Sequence, residues 1–551
     1  MTDQGSGKGP VQAPRGPCVD SKLGIWLAET GGRFHPKLVF GAPGAETSRD
    51  MGMTVYADGP INRREVLASC SVKAVIDRKN SLERIGKLLS DLELLDEKSH
   101  RTSRDPERDG TGLDHFLDFL DRAIISLYLI LTKLSLRLRS RKSAEDPSPV
   151  DRLLHELFSF HEEYVRLLPE TEQLMTPLFW NDAELQKLRA TSLLPTTDLQ
   201  RELWTNEYEC FVEKIRNLSP SLHALITQHT SCLDYFWAST MVNSRSFPST
   251  LLATSSEIAN RTSLPTQPDT HPATPSVSPQ EEAPILLPGV DIFNHKRGSK
   301  VEWRPVNADS PVQCIEIVSL EDQIPRGEQV FNNYGPKSTG ELIVGYGFAL
   351  GEEDWKLQAQ EGEKMESNPD DFYPVKLSQP RSEEAYSALI GEIFERFESD
   401  DLLHHVRRDG ILPPLLLAQL RISLISSDQE LRLASQRLQE ALRLESSKEF
   451  LDRFTAAMDQ KLNWENELNC LDCLSSLFSH KLNALSSSDV FHPHADWSQV
   501  RAPVKRMIEI YSKGQLDILK DILKVVKDNF ELSLEDARAD GFEFDAEDDD
   551  E

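Results

Sequence analysis

Three chemically capable side chains stand within five positions at Asp291-Ile292-Phe293-Asn294-His295, directly after the apolar run "PILLPGV". An acid, an amide and an imidazole at the end of a strand leave a metal site, an acid/base pair and a pocket wall all open. Two further stretches carry groups of interest. Downstream, "RGEQVFNNYGPK" contains Tyr334 and continues as "STGELIVGYGFAL", where Ser338 and Glu341 form a capping box for a short helix. Upstream, "FWASTMVNSRSF" ends in Ser244-Arg245-Ser246-Phe247. Taken singly, each has a bland reading: a strand-end tyrosine, a core arginine, an aromatic plug.

Other signals carry less. "GSGKG" at 5–9 lacks the Ser or Thr after Lys8, the upstream glycine and the preceding strand of a phosphate loop. Cys470 and Cys473 form a CxxC without a second pair, in a helical pattern, whereas a structural zinc needs four ligands. No neighbouring His or carboxylate completes a ligand set around Asp291 and His295, so no metal is expected. A G-x-S-x-G nucleophile elbow is absent.

The elements that must position these residues follow from periodicity. Residues 1–20, rich in Gly and Pro, are expected to be disordered. "KLGIWLAETGG" and "MTVYADGPINRREVLASC" read as strands punctuated by Gly and Pro. From about 81 to 235 apolar residues recur at three- and four-residue spacing, which predicts helices. Residues 248–284 are dominated by Ser, Thr and Pro and read as a mobile loop or linker. Strand signals return in "PILLPGVDIF", "KVEWRPV" and "VQCIEIVSL", and 360–534 reads as helices. The stretch 535–551 reads as an acidic disordered tail. The fold class is α+β: a β domain split by a helical insertion, then an all-α domain.

Composition sets the outer limits. The chain has 551 residues, a net charge of −29 and a pI near 5.0. Such acidity opposes duplex nucleic-acid binding, which needs a basic footprint, and suits a basic partner. The seven cysteines are few, odd in number and scattered, as in a reducing compartment. No apolar h-region follows Met1, and the longest apolar run breaks at Lys133, too short to span a bilayer. A monomer in the cytoplasm or nucleus is expected, with no membrane and no direct nucleic-acid partner.

Together and in this order, "SRSF", "DIFNH", "NNYG" and "GYGF" resemble the SET-domain protein-lysine methyltransferases. The resemblance is to the branch of the Rubisco large-subunit methyltransferase and the fungal ribosomal-protein lysine methyltransferases. It runs from about residue 21 to 530. It implies small β-sheets with a pseudoknot over 21–350, split by the helical insertion, and a helical substrate-binding domain over 360–534. It implies S-adenosyl-L-methionine as cofactor, with Asn294, His295, Arg245, Tyr334, Asp291 and Gly52 at its site. Arg245 would face the cofactor carboxylate, while Asp291 would order its turn. Tyr334 would be the catalytic tyrosine, and Tyr346, Phe348 and Phe247 would wall the acceptor-lysine channel. Thr54 stands where the family often has a second glycine, and Thr339 where it usually has Asn; the Thr339 hydroxyl is expected to hydrogen-bond locally. The substrate implied is a basic protein, with a ribosomal protein favoured. The alternatives are a histone, another protein, a histidine acceptor, or a non-catalytic scaffold.

Overall fold

The Ser21 hydroxyl accepts from the Gly24 N–H, and Gly31, at φ 96°, closes the same segment through hydrogen bonds to the Ala28 and Leu27 carbonyls. Between these caps Lys22–Thr30 is a helix that buries Leu23, Trp26 and Leu27 on one face. The sequence expectation there was a strand. A nine-residue apolar stretch fits either period, and the two caps decide for the helix. In this computed structural model the described residues are 16–41, 53–99, 119–141, 148–252, 283–306, 313–351, 367–378 and 387–542. Residues 16–20 correct the expected disorder of 1–20. Gly16 and Pro17 pair with Phe40 and Val39, and Cys18 is buried beside them.

The described chain forms two compact units. The first takes residues to Phe179, Thr197–Pro336 and Val344–Gly347. Its β-structure is a set of small sheets. One has three antiparallel strands, Gly16–Pro17, Leu38–Phe40 and Val55–Ala57. Another runs Val301–Val306, Cys314–Ser319, Val66–Ser71, Arg33–Phe34, antiparallel throughout. Three two-stranded pairs complete it: Ile61–Asn62 with Gln323–Ile324, Ser246–Pro248 with Pro284–Leu286, and Asn294–His295 with Phe331–Asn332. The last pair is parallel, so a long connection must separate its strands.

The helical insertion runs from Arg78 to Arg245, wider than the expected 81–235. At its centre lies Asp121–Arg141, apolar on nearly every side and accordingly buried, from Ala123 and Ile124 to Leu134 and Leu138. One of its polar groups, the Tyr128 hydroxyl, is partnered across to His161. The Tyr128 hydroxyl lies 2.6 Å from His161 Nδ1, and His161 Nε2 lies 3.1 Å from the Ala74 carbonyl. The carbonyl only accepts, so Nε2 carries the proton and Tyr128 donates. Burial pushes the His161 pKa down to about 3. No helix among the described residues is long and apolar enough to cross a membrane.

The second unit takes Trp180–Thr196, Lys337–Ile343 and the described residues from Phe348 onward. Residues 180–196 thus leave the first unit, to which the expected 21–350 boundary assigned them. Glu184 explains the change: its carboxylate accepts from the Arg501 backbone at 3.0 Å and from the Arg501 guanidinium at 2.8 Å. The unit is helical apart from one antiparallel pair, Phe372–Lys376 with Leu403–Arg407. Its long helix Ala502–Ala539 packs along Trp464–Ser486 and continues through the first residues of the expected acidic tail 535–551, of which 543–551 lie outside the described residues. The edges of the expected 248–284 loop are likewise ordered, with Pro248 paired to Pro284; residues 253–282 lie outside the description.

Candidate functional site

Arg245 ends the helix Cys232–Arg245, whose N-terminus is fixed by a capping box between Ser231 and Asp234. The strand that follows, Ser246–Pro248, lies antiparallel to Pro284–Leu286 with Ser246 opposite Leu286. A tight turn then brings the Asp291 N–H onto the Leu287 carbonyl at 3.2 Å. Arg245 and Asp291, 46 residues apart, therefore meet. Arg245 Nη1 donates to both the Asp291 carbonyl and its Oδ2, each at 3.2 Å. The Asp291 side chain is completely buried; its Oδ1 accepts from the Gly289 N–H at 3.2 Å and its Oδ2 from the Tyr164 hydroxyl at 2.7 Å. Burial pushes the Asp291 carboxyl above the ordinary range, and Arg245 and Tyr164 pull it back. The expected turn-ordering part of Asp291 is visible in these bonds.

The parallel pair sets Asn294 opposite Phe331 and His295 opposite Asn332. Two residues further on, the Tyr334 N–H donates to His295 Nδ1 at 3.0 Å. The Tyr334 hydroxyl donates to the Phe293 carbonyl at 2.9 Å. Its ring is the middle of a stack, 5.0 Å from the His295 ring on one side and 5.0 Å from the Tyr346 ring on the other, each tilted by 23°. Burial raises the Tyr334 phenol above its ordinary value, so it acts as a neutral hydroxyl and not as a base.

Tyr346 owes its position partly to Gly347. That residue has φ 78°, and a Cβ on it would lie 2.9 Å from the Met175 carbonyl carbon and the Thr176 nitrogen.

A cavity of about 50 Å³ opens here, lined by Arg245, Phe247, Asp291, Tyr334 and Tyr346 from the expected set. Ser244, Ser246, Trp303 and Asn332 join them, and sequence reasoning had missed all four as site residues. Trp303 packs edge-on against Phe247 at 4.9 Å, and its Nε1 donates to Asn332 Oδ1 at 3.0 Å. The signal for both was faint: a tryptophan in a strand otherwise half exposed, and an Asn beside the "NNYG" tyrosine. His295 and Asn294 do not line this cavity; His295 backs Tyr334. Phe348 falls in the second unit, where its N–H meets the Leu342 carbonyl. Gly52 lies outside the described residues. No cluster of metal-ligating side chains occurs among the described residues.

The helix after the tyrosine segment begins as expected. Ser338 and Glu341 exchange capping hydrogen bonds at 2.8 and 3.2 Å. Thr339, in the place where the family usually has Asn, donates through its hydroxyl to Asp371 Oδ2 at 3.0 Å and through its N–H to Oδ1 at 2.5 Å.

Chemically, the site joins an aromatic-lined cavity to a half-buried cation with spare donors. Arg245 Nε and Nη2 have no partner among the described residues, and neither does the Asn294 carboxamide. A guanidinium with open donors suits a carboxylate, and a free carboxamide suits a heterocycle edge or a hydroxyl. These residues therefore fit a zwitterionic nucleoside such as S-adenosyl-L-methionine.

Comparison with known proteins gives the same direction. No family model matches the chain. "Ribosomal lysine N-methyltransferase set10" of Schizosaccharomyces pombe is 30% identical over 187 residues, 34% of this chain and 27% of the relative. The Pisum sativum chloroplastic ribulose-1,5-bisphosphate carboxylase/oxygenase large subunit N-methyltransferase is 25% identical over 270 residues, 48% of this chain and 45% of the relative. The chain thus spans about a quarter to a half of the curated relatives it is compared with. A crystal structure of the SET domain of LSMT bound to lysine and AdoHcy superposes with a TM-score of 0.59 at 17% identity, over 93% of this chain and 92% of that one. The chain has the SET-domain fold followed by a helical region, and in sequence it resembles the SET-domain lysine methyltransferases.

Proposed function

We propose that the protein is an S-adenosyl-L-methionine-dependent protein-lysine N-methyltransferase acting on a basic protein, with a ribosomal protein favoured as substrate. One observation carries the reading. Tyr334 is held between His295 and Tyr346 with its hydroxyl fixed on the Phe293 carbonyl, beside a guanidinium with open donors. The ribosomal preference draws support from the name of the fission-yeast relative and from the net charge of −29, which complements a basic target.

When bound, the cofactor supplies an electrophilic methyl group on a sulfonium. Arg245 would hold its carboxylate and Asn294 a polar edge. Displacement on carbon demands in-line alignment above all, and the aromatic walls of Phe247, Trp303 and Tyr346 restrict how an acceptor chain enters. A lysine amine must be neutral to attack, and its ordinary pKa is about 10.4. Apolar walls strip hydration from the ammonium and favour the free amine. The Tyr334 hydroxyl and the carbonyls around it can orient that amine, and its ring face suits the neighbouring positive charge. The same reading makes the protein a monomer of the cytoplasm or nucleus.

The test is incubation of the purified chain with a cell extract and isotope-labelled S-adenosyl-L-methionine, followed by mass spectrometry. Label on a discrete lysine of a ribosomal protein supports the full proposal. Label on a histone or on a histidine redirects the substrate, and cofactor-free, label-free protein overturns the enzyme reading.

A further inference from the structure

Tyr164 belongs to the short helix Glu162–Val165 of the insertion, and none of the motifs in the sequence points to it. It is nonetheless among the largest fully buried side chains of the first unit. Its hydroxyl donates to Asp291 Oδ2, the same oxygen that receives Arg245 Nη1. Tyr164, Asp291 and Arg245 are therefore joined in that order by hydrogen bonds, and the last two line the cavity.

The physical consequence runs along that chain. A carboxylate with a completely buried side chain needs every one of its donors, because water cannot replace a missing one. Asp291 has three side-chain acceptor contacts, to Gly289, Tyr164 and Arg245. Without the Tyr164 hydroxyl, Oδ2 keeps only the longer 3.2 Å contact to Arg245, and burial favours the neutral acid. A neutral Asp291 leaves the guanidinium held by the 3.2 Å bond to the Asp291 carbonyl without the ion pair, so its remaining donors are aimed less firmly at the cavity.

We infer that Tyr164 is a positioning residue for the methyl-donor site: through Asp291 it holds Arg245 in the orientation that receives the cofactor carboxylate. The inference rests on the reading of the cavity as a methyl-donor site and adds a contribution from the helical insertion to it. Tyr164 touches neither cofactor nor acceptor.

The experiment is calorimetric titration of the full chain with S-adenosyl-L-methionine, for the wild type, Tyr164→Phe, Asp291→Asn and the double variant. Tyr128→Phe is the control, since that hydroxyl is equally buried at 2.6 Å from His161 and lines no part of the cavity. Tyr164→Phe is expected to weaken cofactor binding about tenfold, with the acceptor KM little changed. Adding it to Asp291→Asn is expected to weaken binding no further, as a shared pathway requires. Tyr128→Phe is expected to lower Tm while leaving the dissociation constant unchanged.

Wild-type affinity in Tyr164→Phe overturns the inference alone, as does equal weakening in Tyr128→Phe or full additivity with Asp291→Asn. No binding by the folded wild-type chain overturns the methyl-donor reading, and the inference with it.

Discussion

The Tyr334 backbone N–H points at His295 Nδ1, 3.0 Å away, while the two rings lie stacked 5.0 Å apart. A nitrogen that accepts carries no proton, so the imidazole is neutral with its hydrogen on Nε2. His295 thus fixes the tyrosine twice, by its ring face and by its lone pair. His295→Phe keeps a ring but removes the acceptor. It is expected to cost about 1–2 kcal/mol of stability and to lower turnover, measured by thermal unfolding and a labelled-methyl assay. Unchanged turnover would remove His295 from any supporting position.

Tyr334→Phe deletes only the hydroxyl on the Phe293 carbonyl. Stacking with His295 and Tyr346 remains, so the fold and the cofactor dissociation constant are expected to hold. Turnover is expected to fall about 100-fold, the scale of losing one placed hydrogen-bonding group at a reacting centre. Full activity would return Tyr334 to ordinary packing.

Gly347→Ala meets two obstacles, a left-handed φ of 78° and a Cβ contact at 2.9 Å with the Met175–Thr176 backbone. A destabilisation of about 1–3 kcal/mol follows, together with displaced Tyr346 and reduced activity. Denaturant unfolding measures the first, and an unaltered midpoint would show that the 175–176 segment yields freely.

Asp371 gives the fold a pH dependence. Burial raises its pKa from 3.8 to about 6, against the two hydrogen bonds from Thr339. The folded state therefore binds a proton more tightly than the unfolded one. Its contribution is most favourable below the unfolded value and is lost as pH rises through about 6, on the order of 2–3 kcal/mol in all. Asp371→Asn can still accept from the Thr339 N–H but does not ionise. The stability difference, variant minus wild type, is expected to grow between pH 4 and 7 in chemical unfolding. A difference that stays flat would show that the carboxyl titrates normally.

The sequence made the chemistry more legible than the scaffold. "DIFNH" and "NNYG" stand out because an amide, an imidazole and a phenol are rare in so compact an order, and His295 and Tyr334 do meet. The capping box at Ser338 and Glu341 was legible for a local reason: both partners lie within one helical turn. Helix against strand at 22–30 was not, since nine residues with Leu23, Trp26 and Leu27 satisfy either period until Ser21 and Gly31 are read as caps. Trp303 and Tyr164 reach the site through long-range pairing, at 29 residues from Asn332 and 127 from Asp291, and no local pattern encodes such distances. The strand pair Phe372–Lys376 with Leu403–Arg407 was hidden for the same reason, each strand being five residues inside a helical background.

The pairing of Ser246–Pro248 with Pro284–Leu286 has a consequence for how this chain tolerates change. The two strands clamp the ends of the intervening stretch directly beside Arg245 and just before the Asp291 turn. For any unstructured connection whose ends are tied, closure entropy rises by only about 0.6 kcal/mol for each doubling of length. Arg245 and Asp291 keep their register as long as these two strands stay paired, and Leu251 and Leu252 beyond Pro248 pack on the same core. The clamp therefore ties the geometry of the site to two three-residue strands and not to the length of chain that joins them.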